Sequence, residues 1–239
     1  MFTLHDTQIC RQEIFYRPLY FSAEISRFVK ISQPRVHRWL EGYQYFYQSE
    51  VKKQPPVIIK NAEEVFHPAY ASFYDLIDLL FIKHFLDYGI SLQKLRKALT
   101  EAEEILGTPH FVHQSFFTDG RNICLLIKEK GKGDAILELL SGGQWVIKEF
   151  IQQLAHQIDF DKVTNLARRW FPPEGDQLIV LDPLVCFGKP AILNKGITTE
   201  NVYDLYVAEG GNKTRICKWF GLDQKEVDAA INFESHLVA

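Results

Sequence analysis

Residues 20–47, YFSAEISRFVKISQPRVHRWLEGYQYFY, decide how the rest of the chain is read. Ile25, Phe28 and Val29 recur at the three- and four-residue spacing of one buried helix face. Ser22 stands ahead of them as the expected N-cap, its hydroxyl available to an orphan backbone N–H. Lys30-Ile31 breaks the pattern. Ser32 is the next expected N-cap, with Pro34 in the first turn, where a missing donor costs nothing. On this second helix Val36, Trp39 and Leu40 are predicted to face inward, leaving Gln33, Arg35, His37 and Arg38 outward. Those four are donors of the kind that reach phosphates and base edges. Two short helices with a polar, basic outer face on the second fit a helix-turn-helix. An ordinary helical hairpin with a solvated face satisfies the same spacing.

The order Ser32-x-x-x-Val36-x-x-Trp39-Leu40-x-Gly42-Tyr43 resembles the MerR-like winged helix-turn-helix family, whose outward second helix ends in Trp and a Gly-Tyr turn. That resemblance implies a DNA-binding set of Ser32, Gln33, Arg35, His37, Arg38 and Tyr43, followed by a wing within residues 44–60. Tyr45, Tyr47, Val51, Val57 and Ile59 are expected to supply its two strands, with Lys52 and Lys53 near the tip. Pro55-Pro56 excludes a helix there. Tyr45, Lys52 and Lys53 would hold the phosphate backbone, which orients a protein on DNA without reading its sequence.

The charge distribution agrees with a DNA-facing end. The 239-residue chain carries a net charge of −3. Through Lys60, nine Lys/Arg stand against five Asp/Glu, so a head of net +4 precedes a remainder of net −7. Hydrophobic residues at 46 % and charged residues at 24 % place the chain among globular proteins. No stretch approaches the ~20 apolar residues of a membrane span, and the N-terminus lacks a secretory pattern. Cys10, Cys124, Cys186 and Cys217 are far apart, which argues against a zinc or redox motif and for reduced thiols in a cytoplasm.

Residues 72–88, SFYDLIDLLFIKHFLDY, predict a helix apolar over most of its circumference, hence buried in a core or against a second subunit. Ser91 is expected to cap a second helix with Leu92, Leu95, Leu99, Ala102 and Leu106 inward. Asp75, Asp78 and Asp87 lie among apolar neighbours without evident partners in the sequence. His110 and His113 have metal-ligand spacing, but no carboxylate or thiolate is adjacent in sequence, and two imidazoles make an incomplete site. Ile123–Ile127 and Ala135–Leu140 read as strands, and residues 158–170 as an edge segment followed by a helix. GKGDA and SGGQ lack P-loop and dinucleotide-binding spacing and read as hairpin turns. The cluster Phe171-Pro172-Pro173-Glu174-Gly175 is the expected domain boundary.

After it come three amphipathic helices. Thr199 is expected to cap the first, with Val202, Leu205, Tyr206 and Ala208 inward. Asn212 caps the second, with Ile216, Trp219 and Phe220 buried, and Asp223 with Glu226 forms a capping box on the third. Asp182, Pro183, Gly188, Lys189, Pro190, Ile192, Gly196, Ile197, Val202, Gly210, Val227, Ala230, Ile231 and Phe233 follow the pattern of the family termed domain of unknown function 433. The resemblance spans about residues 178–237. Asn194-Lys195-Gly196-Ile197 replaces that family's usual Gly-Thr-Arg, which removes any contact made by the Arg.

The expected fold is therefore α+β, mainly α. It comprises a MerR-like winged head (1–60), a helical dimerisation pair with a small β-rich region (61–175), and a C-terminal three-helix, helix-turn-helix-like bundle (176–239). The two resemblances together imply a VapB-type antitoxin: a dimeric, non-enzymatic autorepressor that binds double-stranded operator DNA and neutralises a PIN-like ribonuclease toxin. The alternative is a MerR-like effector-sensing regulator without a toxin, using residues 111–171 for a ligand. No nucleophile–base pair, metal cluster or cofactor loop is evident, so neither catalysis, a metal nor a cofactor is expected. Lys213, Arg215 and Lys218 make the middle C-terminal helix a second candidate for DNA contact.

Overall fold

The computed structural model describes residues 13–58, 70–87, 89–107, 110–112 and 153–238. It is mixed α and β, mainly α, with four two-stranded sheets among the described residues. The expected strands at 123–127 and 135–140, His113, and most of the region assigned to a ligand lie outside them. The chain divides into two compact units, residues 15–156 with 161–167, and residues 1–14 with 157–160 and 168–239. The Pro/Gly cluster at 171–175 thus falls within the second unit. Among the described residues, no helix is long and apolar enough to cross a membrane.

The first unit opens with strand β1 (Tyr20–Phe21), helix α1 (Ser22–Val29) and helix α2 (Gln33–Glu41). Ile25, Phe28 and Val29 on α1, and Val36, Trp39 and Leu40 on α2, are buried as their spacing requires. Lys30 makes the break in left-handed conformation, φ 56°, with its N–H on the Ser26 carbonyl. Ser22 is not the N-cap. It is the first helical residue, and Glu24 instead reaches back to the Phe21 N–H at 2.8 Å. The Ser22 hydroxyl, removed from solvent, is used for a tertiary contact with α2.

A hairpin follows, β2 (Tyr43–Tyr47) and β3 (Glu50–Gln54), antiparallel in the register Tyr43↔Gln54 to Tyr47↔Glu50. The chain then returns to the end of α2, where Val57 and Ile58 both donate their backbone N–H to the Trp39 carbonyl, at 2.8 and 3.2 Å. Val57 is accordingly a buried anchor and not a strand residue. β4 (Tyr70–Ala71) pairs with β1 and leads into α3 (Phe73–Asp87). Eleven of the fifteen α3 residues are buried, as expected for a helix apolar nearly all round. Each such aliphatic or aromatic side chain contributes about 1.5–3 kcal/mol by leaving water, so packing outweighs the caps, worth about 1 kcal/mol each. α4 (Leu92–Leu106) begins at Ser91, whose hydroxyl accepts the Lys94 N–H at 3.4 Å, and buries Leu95, Ala98 and Leu99.

His84, half-buried on α3, has its pKa lowered to about 4, first by desolvation, then by Lys83, against an opposing pull from Asp87. Below about pH 6.5 the unfolded chain takes up this proton and the folded chain does not, so stability falls as pH drops toward about 4. Urea midpoints at about pH 4.5 and about pH 7 should show that loss, and His84→Gln should shallow it.

Residues 158–170 are not a strand followed by a helix but a hairpin, β5 (Ile158–Phe160) with β6 (Ala167–Trp170). The reversal is made by Asp161, whose carboxylate accepts the Val163 and Thr164 N–H groups at 3.0 and 2.9 Å, and by Asn165 at φ 56°. Arg169 then pairs with Asp159 at 2.7 Å across the strands. Trp170 and Leu181 exchange backbone hydrogen bonds, and β7 (Ile179–Val180) pairs with β8 (Ala191–Ile192).

Helices α5 (Thr199–Ala208), α6 (Lys213–Phe220) and α7 (Gln224–Val238) complete the second unit. α7 packs on α5, α6, β7 and the turn at Pro173–Gly175. Thr198, one residue earlier than expected, caps α5, while Thr199 is buried and bonds the Pro190 carbonyl and Glu234. Asn212 caps α6, and Asp223 with Glu226 forms the reciprocal box on α7, both bonds at 2.8 Å. Three expected core positions are corrected: Trp219 is 68 % exposed, Ala208 is exposed, and Phe220 is half-buried. Ile216 fills the inward α6 position, and Trp219, three residues on, turns out of the unit.

Candidate nucleic-acid interface

The nine predicted DNA-contact residues divide among the turn before α2, α2 itself and the adjoining hairpin. Ser32 precedes α2 in extended conformation, and its carbonyl accepts the Arg35 and Val36 N–H groups at 2.8 and 3.1 Å. Its side chain is exposed and does not itself cap the helix. Arg35 and Arg38 are exposed one turn apart. The Arg35 guanidinium lies 5.9 Å from the Trp39 ring centre, and that of Arg38 lies 5.9 Å from Tyr43. Arg38 also donates to the Pro34 carbonyl at 3.3 Å. These are weak, solvent-facing contacts that orient a guanidinium without neutralising it.

The other two polar residues of α2 are engaged inward. Gln33 donates to the Ser22 hydroxyl at 3.1 Å, and His37 Nε2 sits 3.0 Å from the same oxygen, while His37 Nδ1 lies 3.1 Å from Glu41. Ser22 therefore joins α1 to α2 through two side chains. Gln33 and His37 fix the helix pair, and the two arginines are its freely presented donors.

In the hairpin, alternation places Tyr43, Tyr45, Tyr47, Lys52 and Gln54 on one face and Gln44, Phe46, Val51 and Lys53 on the other. Tyr43 and Tyr45 are 43 % and 40 % exposed, and Lys52 lies 4.3 Å over the Tyr47 ring. Lys53 projects into solvent. Among the described residues, Arg35, Arg38, Lys52 and Lys53 engage no carboxylate.

The middle C-terminal helix contrasts with this. Lys213 is paired with Asp228 at 2.6 Å and Arg215 with Glu209. Two of its three cations are thereby matched to local carboxylates, leaving Lys218 to face solvent.

A second cluster is buried in the first unit. Asp78 on α3 accepts from His110 Nδ1 and from the Phe111 N–H, each at 2.6 Å. Asp75, one turn earlier, accepts from the Ser72 N–H at 2.8 Å and hydroxyl at 3.0 Å, both on Oδ2. Neither aspartate has an evident partner in the sequence, and His110 has no adjacent carboxylate there. The separation of 32 residues between Asp78 and His110 is what hides the pair. Burial raises the Asp78 pKa to about 6, opposed by His110 and reinforced by Asp75. Tyr16 and Tyr74 cover His110, with ring centres 6.0 and 5.7 Å away, and burial drives the Tyr74 hydroxyl well above its ordinary range.

Comparison with known proteins adds three findings. Residues 179–233 match the family described as Protein of unknown function (DUF433). A protein named "Putative antitoxin VapB45", from Mycobacterium tuberculosis (strain ATCC 25618 / H37Rv), is 26 % identical over 195 residues, covering 77 % of this chain and 81 % of that one. The crystal structure of Rv2018 from Mycobacterium tuberculosis has the same fold, with a TM-score of 0.64 at 20 % identity over 90 % of this chain and 98 % of that chain. The chain thus resembles a VapB-type antitoxin with a C-terminal region of the DUF433 kind.

Proposed function

We propose that this chain is a DNA-binding antitoxin of a type II toxin–antitoxin pair. It represses its own promoter and neutralises a ribonuclease toxin of the PIN-like class. The observation that carries this reading is the similarity to an antitoxin along most of the chain. It is joined by four cations on α2 and the hairpin, Arg35, Arg38, Lys52 and Lys53, that engage no carboxylate among the described residues. In this mechanism α1 and α2 with the β2–β3 hairpin act as a winged helix-turn-helix. α2 enters the major groove and presents Arg35 and Arg38 to base edges or phosphates, with Ser32 at its N-terminal end. Lys52, Lys53, Tyr43 and Tyr45 hold the flanking backbone, and Gln33 and His37 keep the helix pair in register. A homodimer would set two such heads on half-sites about one helical turn apart. The matched charges of Lys213 and Arg215 favour the N-terminal head over the C-terminal helices as the DNA-reading element.

Co-expression with the product of the adjacent gene tests the toxin half of this reading. A stable complex with a small nuclease, whose RNA cleavage is suppressed while bound, is the expected result. Promoter DNA binding by the chain alone, with no such complex, would leave it a regulator and remove the antitoxin assignment.

A further inference from the structure

We propose that Asp75, Asp78 and His110 bind one divalent first-row metal ion, most readily Zn²⁺, which ties α3 to the segment His110–Val112. One ligand atom from each residue lies within 4.8 Å of the others. All three residues are buried, at 1 %, 1 % and 3 % exposure. Cap and tether bonds account for much of the cluster but not all of it. Both Ser72 donors fall on Asp75 Oδ2, and Asp75 Oδ1 is buried with no hydrogen-bond partner. An interior carboxylate oxygen without a donor is costly, and a cation is one of the few groups that offsets it.

The donor set defines the ion's class. Two carboxylates and an imidazole suit Zn²⁺, Mn²⁺, Fe²⁺ or Ni²⁺ and disfavour thiolate-seeking Cu⁺. A divalent charge balances the two carboxylates. Metal–ligand bonds of about 2.0–2.2 Å in a tetrahedral site put ligand atoms roughly 3.3 Å apart. The 2.6 Å Asp78–His110 contact then opens by less than ~1 Å, while the widest contact closes by at most ~1.5 Å, both within reach of side-chain rotation. The Nδ1 proton of His110 moves to Nε2 when the ring is neutral, or to water when it is charged, and Nδ1 turns from donor to ligand. Three protein ligands leave the fourth position to water.

The test uses the purified full-length chain, stripped with chelator and titrated with Zn²⁺ and Co²⁺. The expected results are uptake of one ion per chain and a rise in Tm with metal. The Co²⁺ complex should show tetrahedral visible absorption without a thiolate charge-transfer band. Asp75→Asn keeps an oxygen for Ser72, and with His110→Gln it should weaken affinity at least about tenfold. Absence of stoichiometric uptake at micromolar metal would overturn the assignment and leave a proton as the cluster's occupant. A thiolate band, or affinity unchanged in both variants, would overturn it by placing the ion elsewhere. Should the variants fail to fold, uptake and the Co²⁺ spectrum of the wild type decide. Neither DNA nor toxin enters these readouts, so the antitoxin reading stands or falls separately.

Discussion

Replacing Arg35 and Arg38 together by glutamate is expected to weaken binding to the chain's own promoter by more than about a hundredfold. Each guanidinium in a specific contact contributes roughly 1–3 kcal/mol, and reversal adds repulsion from the phosphates. The fold should survive. The double substitution removes two stackings at 5.9 Å and one hydrogen bond to the Pro34 carbonyl, about 0.5–1 kcal/mol apiece at an exposed surface. Fluorescence anisotropy with promoter DNA and a thermal melt separate the two effects. Lys213→Glu with Arg215→Glu is the matched control, since it breaks ion pairs in the other unit while leaving DNA affinity close to wild type. Unchanged affinity in the Arg35/Arg38 variant, or loss only in the control, would transfer the DNA-reading role away from α2.

The second large effect is expected at Gly42, the residue joining α2 to the hairpin. Its φ of 76° and ψ of −170° belong to a region open essentially only to glycine. A Cβ there would stand 2.4 Å from the Gln54 carbonyl oxygen and 3.0 Å from the backbone of Pro55 and Pro56. Backbone cannot rotate away as a side chain can. Gly42→Ala should therefore cost roughly 2–5 kcal/mol, combining strain with displacement of the returning strand. A lowered urea midpoint, together with DNA binding lost even at temperatures where the protein remains folded, would be the result. A midpoint within about 0.5 kcal/mol of wild type would contradict the geometry.

Local chemistry makes much of this fold legible in the sequence. The Lys30 break, the Pro34 start, and the caps at Ser91, Asn212 and Asp223 are decided within four residues, and each is found in place. The buried α3 can be read from an apolar surface too wide to be a stripe. Sequence and structure part where distant partners decide. Ser22 has the position of a cap, but α2 recruits its hydroxyl from fifteen residues away. Ala167-Arg168-Arg169-Trp170 has helix-forming residues, yet the Asp161 turn and the Asp159–Arg169 pair make it a strand. Trp219 satisfies an amphipathic pattern, yet its side chain is left exposed. The pairing of Asp78 with His110 leaves no periodic trace, because nothing between the two positions repeats.

Seating both returning N–H groups on the single Trp39 carbonyl gives the hairpin the mechanics of a cantilever. Its root is clamped to the end of α2, and its free end is the turn at Gln48 and Ser49, both at positive φ. In the proposed DNA contact, helix and root would meet the ligand together, and the conformational entropy lost would fall mainly on the few residues of the tip. Such a head would spend little of its interaction energy on ordering itself. Sequence changes at the tip should adjust how strongly it holds while leaving α2 in place.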